Sequence, residues 1–372
     1  MNHLPFALPD ITAAEIDSVA GCLRAGWLTS GPAVQRFEAQ FARAIGAEHA
    51  VACSSATMAS LLIFDALGVG PGDEVTFPAW TFSGPPMMAH RLGATVVLAD
   101  VDRRTFNLSS EHLGEITSRT RAVVPTHFAG LAVDVDELVE LADPFGVAVV
   151  DDAAHAFPAR DADGRTVGAQ AAVATFFSFY ATKPLTTGDG GMVVTNDAVL
   201  ADKVRRLRTH GMSREAYGRY NDPEAKWRYE IVAGGWKANM TDFAAAIGLA
   251  QLRRATGLRL ERKRIADAYC EGLRGAGVTL PPYACGHAWH LFPILVEHDR
   301  DGFIDRMAAQ GVQCSVHFIP LHKHPFWQAA ARIPRPLVNC DWLAEREVSL
   351  PIFSKMTDAD VERVIAAVKA AL

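Results

Sequence analysis

Apolar and polar positions follow two periods along this chain, and the period switches repeatedly between them. Thr12-Ala13-Ala14-Glu15 is a capping-box pattern, which predicts a helix opening there and stopping near Gly26. Gly31-Pro32 opens a second helix, with Phe37, Phe41 and Ile45 on one stripe. Short strand-like runs then alternate with helical stretches. Residues 50–53, 74–77, 95–99, 122–125 and 147–150 read as strands, and 57–67, 86–92 and 135–142 as helices. Repeated β-then-α units imply an α/β fold, a mainly parallel sheet covered by helices.

The alternation breaks once. Residues 173–179 and 192–195 both read as strands, yet the connector is too short for a crossover helix. It contains Gly188-Asp189-Gly190-Gly191 and therefore reads as a loop, with Lys183 inside it. A helix-rich stretch follows, broken by a Trp- and Tyr-bearing segment at 217–236. Beyond it come a helix near 258–273, a strand at 289–296, a helix at 303–310 and a last helix at 358–372. This pattern places a large domain at residues 1–250 and a smaller C-terminal α+β domain at 251–372. There is no internal repeat.

Composition narrows the class. With 372 residues, 49% of them apolar and 21% charged, disorder and low complexity are excluded. A net charge of −6 without a basic tail argues against a nucleic-acid partner. The basic run from Arg253-Arg254 to Arg262-Lys263-Arg264 shares helical spacing with Leu252, Leu258 and Ile265, and reads as a solvated helix face. Residues 1–9 lack a signal-peptide pattern, and the apolar stretch 171–181 is too short to span a bilayer. No membrane partner is expected. Six cysteines without a CxxC pair point to a reducing, cytoplasmic setting, without disulfides or thiolate zinc.

Lysine usage says more. The chain has eight lysines, and Lys183 is the first. Arginine cannot replace a lysine that must deprotonate and act as a nucleophile. Phe176 to Lys183 is an apolar strand ending in that lysine, where burial favours the neutral amine and Schiff-base chemistry. A second candidate is the strand that runs into Asp151-Asp152-Ala153-Ala154-His155. Ligands of open α/β sheets bind at the carboxyl ends of strands, and an acid there can hold a protonated heterocycle, bind a metal or cap a helix. A cap needs only one of two consecutive acids. The third candidate is Cys53-Ser54-Ser55-Ala56-Thr57, a strand-to-helix junction suited to a phosphate or to plain N-capping. His287, His290, His317, His322 and His324 crowd the C-terminal part; packed or substrate-contacting roles are preferred to zinc, and no metal site is read. A phosphate cradle, a strand-end aspartate and a reactive lysine, in this order along the chain, describe a pyridoxal-phosphate site.

At this point the chain resembles the DegT-type aminotransferases of pyridoxal-phosphate fold type I, which aminate keto groups of nucleotide-linked sugars. The resemblance is co-linear and nearly end to end. It runs through Gly26 to Pro32, Gly70 to Val75, Pro78 to Phe82, Asp151 to His155 and Ser178 to Lys183. His210-Gly211, Asp242 to Leu252, His317 to His322 and Ser349-Leu350-Pro351 continue it. Within the group, His287 to Phe292 is most similar to the enzymes that aminate UDP-linked 4-keto-pentoses for lipid A modification.

The resemblance implies pyridoxal 5′-phosphate as cofactor and a role for each matched residue. Lys183 would form the Schiff base, Asp152 would pair with the pyridinium nitrogen, and His155 would lie at the ring's polar edge. Phe82 would stack on the ring. The segment Ser55-Ala56-Thr57, with the amide of Met58, and Ser178 would hold the phosphate. A residue of a second subunit would complete that site, so a homodimer is implied. The usual Asn-Tyr-Arg-Met run is here Lys237-Ala238-Asn239-Met240, which leaves Lys237 and Asn239 as the two candidates. Trp27, His317 and His322 would serve the sugar side, and an amino acid such as glutamate would be the donor. Some relatives carry histidine at the lysine position and catalyse dehydration; this chain keeps lysine. An aminotransferase for a keto-cyclitol or another keto-carbohydrate would share these residues, as would a non-catalytic pyridoxal-binding regulator.

Overall fold

A computed structural model describes residues 3–214 and 228–372. The chain opens with helices α1 (Ala13–Ala25) and α2 (Pro32–Ile45), followed by β1 (His49–Cys53) and α3 (Ala56–Ala66). Next come β2 (Glu74–Pro78), α4 (Gly84–Arg91), β3 (Thr95–Ala99), β4 (Thr120–Val123), α5 (Val135–Ala142) and β5 (Ala148–Asp152). β6 (Ala174–Ser178), β7 (Gly191–Thr195) and α6 (Ala198–Leu207) close the first part. A long helix α7 (Asp242–Gly272) leads to β8 (Val278–Thr279), β9 (Phe292–Val296), α8 (Arg300–Ala309), α9 (Pro325–Ala330) and β10 (Ala331–Arg332). The chain ends with α10 (Val338–Ala344), β11 (Glu347–Leu350) and α11 (Asp358–Ala371).

The large sheet has the order β1-β7-β6-β5-β4-β2-β3-β10. Its central pairs are parallel, whereas β7 runs antiparallel to both β6 and β1. The short glycine-bearing connector forces this reversal, because a loop can join β6 to β7 only as an antiparallel pair. α/β alternation upstream of it produces the parallel part, as the pattern predicts.

Local signals explain the first two helices. Thr12 and Glu15 form the reciprocal capping box, and Gly26 closes α1 in the left-handed region at φ 75°. Gly31 offers α2 no side-chain cap. Asp242 supplies one from across the chain, its carboxylate accepting from the amides of Ala33 and Val34 at 3.0 Å each. The Phe37, Phe41 and Ile45 stripe is buried against Phe157, Phe177 and Phe179. Those aromatic contacts hold the exit of β6, from which Lys183 emerges.

Two expectations change. The strand expected at 289–296 begins only at Phe292. Trp289 sits at φ 50°, and the buried Arg262 guanidinium takes the carbonyls of Trp289 and His290, so those residues cannot join a ladder. The helix expected near 258–273 is the second half of α7, which runs unbroken through residue 250. A second sheet, β11-β9-β8, packs with Ile265, Tyr269 and Val364 into a separate core beside the C-terminal half of α7. Part of the Trp- and Tyr-bearing segment, residues 215–227, lies outside the described residues. No helix among the described residues is long and apolar enough to cross a membrane.

Candidate active site

A cavity of about 390 Å³ opens at the carboxyl ends of β5 and β6. Its size suits a small cofactor with room for substrate. Asp152, the last residue of β5, and Lys183, in the loop after β6, both line it. Strand alternation separates the two consecutive acids, because neighbouring side chains point to opposite faces. Asp151 leaves the cavity side and meets His127, whose Nε2 lies 2.7 Å from Oδ2. The Val133 amide donates to His127 Nδ1, so Nε2 carries the hydrogen that Asp151 accepts. The two acids therefore have different tasks.

Asp152 is buried, and its Oδ1 accepts from the Ala154 amide at 3.0 Å. Burial pushes its carboxyl up to about 6, against the lowering effects of that amide and of Lys183. Among the described residues no basic side chain reaches it at ion-pair distance. A carboxyl of this kind lacks a cationic partner, and a protonated ring nitrogen is one. Lys183 is pushed down to about 7 by burial, with Asp152 pulling the other way. Its amine is thus substantially neutral near neutral pH, as a nucleophile must be.

Imidazoles surround that amine. His290 Nε2 lies 3.3 Å from Lys183 Nζ, and the His155 ring centroid is 4.4 Å from that of His290. Burial first, and the Lys183 charge second, hold both histidines well below the usual range; His317 is pushed down to about 4 by the same causes. All three are neutral. His155 Nδ1 accepts from the Ala129 amide at 3.3 Å, which leaves Nε2–H for the cavity.

The opposite wall could hold a phosphate. Ser55 caps α3 by accepting from the Met58 amide at 3.1 Å, so that amide is already used. The Ala56 and Thr57 amides have no partner among the described residues and, with the Ser178 hydroxyl, border the cavity. Gly191 makes the approach possible: a Cβ there would fall 2.4 Å from the Ser55 carbonyl carbon and 2.6 Å from the Ala56 nitrogen. Gly191→Ala must displace that loop, at about 1–3 kcal/mol. It is expected to weaken cofactor binding roughly tenfold or more, read by titrating cofactor-free protein; unchanged affinity would separate the loop from the cofactor. Phe82, 61% exposed, offers its ring to the same space. A buried acid without a cation, free amides at a helix start and an open aromatic face fit a phosphorylated pyridine.

The remaining expected residues divide between the cavity and other parts of the fold. His317 lines the cavity. His322 does not, because its Nε2 is held 2.9 Å from Asp341. Trp27 lies in a separate groove beside Asp242, its indole N–H donating to the Ser30 carbonyl at 3.0 Å. Lys237 bonds to Asn239, which donates to Ser30 Oγ at 2.8 Å, and neither lines this chain's own cavity. Among the C-terminal histidines, His287 stacks on Trp289 at 3.8 Å and His324 reaches the Ile319 carbonyl. Their partners are dispersed, and no cluster of three metal-ligating side chains occurs among the described residues. Sequence reasoning assigned no site role to His290 or to Thr81 and Thr126, whose hydroxyls meet at 3.1 Å on the cavity floor. His290 and Thr81 lie in segments that carry the family resemblance; Thr126 gave no signal.

A fold of this topology with a lysine and an aspartate at adjacent strand ends defines a pyridoxal-phosphate-dependent enzyme. The DegT/DnrJ/EryC1/StrS aminotransferase family model matches residues 9–369. The spore coat polysaccharide biosynthesis protein SpsC of Bacillus subtilis is 41% identical, over 99% of this chain and 97% of its own. Among solved structures, the sugar aminotransferase Spr1654 of Streptococcus pneumoniae, in its PMP form, aligns with a TM-score of 0.92 at 30% identity. That alignment covers 99% of this chain and 97% of Spr1654. DesV of S. venezuelae aligns at 0.89 and 33%, over 100% and 98%. The chain belongs to the DegT/DnrJ/EryC1/StrS aminotransferase family and is a pyridoxal-phosphate-dependent aminotransferase.

Proposed function

We propose that this enzyme moves an amino group from glutamate to the keto group of a nucleotide-linked 4-keto sugar, as a homodimer with shared sites. The observation that carries the reading is the pairing of Lys183 and Asp152 across one cavity, the amine lowered to about 7 and the carboxyl left without a side-chain cation. Asp152 would keep the ring nitrogen protonated. Phe82 would lie against the ring, His155 would donate from Nε2 at its polar edge, and Ala56, Thr57 and Ser178 would hold the phosphate. Lys237 or Asn239 of a second copy would complete that cradle, since within one chain neither side chain lines the cavity. When bound, the cofactor supplies an electron sink and carries the amino group between donor and acceptor.

Lys183 does the proton work. Its Nζ takes the proton from the donor's α-carbon and returns one to the carbon that receives the amine. His290, neutral and 3.3 Å away, keeps the amine oriented without adding a charge that would compete for that proton. His317 faces the acceptor. The roles of SpsC in spore coat polysaccharide biosynthesis and of Helicobacter pylori PseC in pseudoaminic acid biosynthesis support a carbohydrate acceptor.

The test records the visible spectrum of the purified holoenzyme, adds glutamate, and then adds nucleotide-linked 4-keto sugars. Bleaching by glutamate and recovery of colour with one such sugar supports the reading. Recovery only with a free keto-cyclitol would replace the acceptor. No bleaching with any amino acid would replace the activity.

A further inference from the structure

β11 brings Glu347 and Ser349 to one face, two residues apart. Both are fully buried, and neither lines the cavity. Three contacts join them to a residue that does. Glu347 Oε1 lies 2.6 Å from Ser349 Oγ, and Ser349 Oγ lies 3.0 Å from His317 Nδ1. The His317 backbone amide closes the ring by donating to Glu347 Oε2 at 2.8 Å. The imidazole is gripped between Phe6, stacked at 5.2 Å, and Phe318, edge-on at 5.5 Å. Nδ1 is therefore taken, while Nε2 has no partner among the described residues and is the nitrogen left for the cavity.

We propose that Glu347 and Ser349 are positioning residues that set the tautomer of His317, and so decide whether its cavity-facing nitrogen donates or accepts a hydrogen bond. Ser349 has one hydroxyl proton to give. With Glu347 ionised, Ser349 donates to Oε1 and must accept from Nδ1–H, so Nε2 is a bare acceptor. With Glu347 neutral, the carboxyl donates to Ser349, Ser349 donates to Nδ1, and Nε2–H points into the cavity. Glu347 Oε2 accepts the backbone amide in both states.

The surroundings favour the neutral state. No basic side chain among the described residues lies within ion-pair distance of the Glu347 carboxyl; Arg300 donates to its backbone carbonyl instead. Burial pushes the carboxyl up to about 8. The other titratable groups facing the chain are Cys314 beside Glu347 and, from the cavity, Lys183, His155 and His290 toward His317. At neutral pH, Nε2–H is thus available to a carbonyl oxygen. On the reading of a keto-sugar acceptor, which this inference extends, that oxygen is the acceptor's keto group.

The test follows the imidazole directly. Holoenzyme labelled with 15N-histidine is examined by long-range 1H–15N correlation, His317 being assigned by its loss in His317→Asn. Wild type is expected to show the Nε2–H tautomer well below pH 8 and the Nδ1–H tautomer well above it. Glu347→Gln is expected to hold Nε2–H throughout, because its amide oxygen must accept from the His317 backbone and its NH2 must face Ser349. Ser349→Ala is expected to abolish the pH response. An unresponsive wild-type tautomer, or a Ser349→Ala spectrum like wild type, overturns the inference. A second readout is the kinetic split for the keto sugar, where Ser349→Ala is expected to lower kcat/KM about tenfold, one lost hydrogen bond. If the tautomer responds as expected but this split does not appear, the positioning stands and the acceptor-side role of His317 fails.

Discussion

Lys183→Ala is expected to lower turnover by at least about 10⁴-fold while the protein remains folded. The side chain has two tasks in the proposed reaction, covalent attachment of the cofactor and proton transfer at Nζ, and alanine removes both. The fold should survive, because the amine is buried at an energetic cost that shows in its lowered proton affinity. Lys183→Arg is expected to fail as well, since a guanidinium does not deprotonate. The measurement is amine formation on the keto sugar, together with borohydride reduction and peptide mapping, which should mark Lys183 in wild type alone. Turnover by either variant above a trace would remove this lysine from the chemistry. Mixing Lys183→Ala with Asn239→Ala extends the test to the shared site. If Asn239 serves the second copy's phosphate, each hybrid dimer contains one complete site and exceeds both parents. If the mixture gains nothing, and Lys237→Ala in its place gains nothing either, each copy works alone.

Asp152→Asn is expected to cost roughly 10²–10³-fold in turnover, the scale of losing one preorganised charge contact. The amide is isosteric and can still accept from the Ala154 amide, so geometry is retained and the charge alone disappears. A stability measurement should move in the opposite direction. Burial raises the folded-state pKa of Asp152 from its ordinary value of 3.8 to about 6. The folded protein therefore binds the proton more tightly, and this contribution is complete below pH 3.8 and lost as pH rises through about 6. In cofactor-free protein above that range Asp152 is a burden, and asparagine should raise Tm. A bound, protonated ring nitrogen reverses the sign, so added cofactor should raise the Tm of wild type more than that of the variant. Equal cofactor shifts in both would show that Asp152 does not face the ring.

Much of the site was legible in the chain because its signals are local. A strand ending in Asp151-Asp152, an aromatic strand ending in Lys183 and a serine-rich helix start each announce themselves within eight residues or so, where hydrophobic period and capping chemistry operate. The first two helices behave likewise. Local patterns stop short where distant segments compete for the same atoms. Arg262 claims the carbonyls that residues 289–290 would have offered a strand, and Asp242 supplies the cap that Gly31 lacks. Trp27 and His322 carried the look of site residues, yet the Ser30 carbonyl and Asp341 occupy them outside the cavity.

By itself, then, the sequence determined the order of strands and helices through β7, the reversal after β6, and the lysine, acid and serine-rich loop that meet at one cavity. Only the tertiary structure decided what occupies Asp151, the acid beside Asp152, which of five histidines reach the cavity, and that Glu347 and Ser349 stand behind one of them. The reason is range. Side-chain direction along a strand and capping at a helix end depend on neighbours in the chain. The partner of a buried polar group is whichever donor or acceptor the packed core brings within 3 Å or so, and Lys183 meets its imidazole 107 residues away.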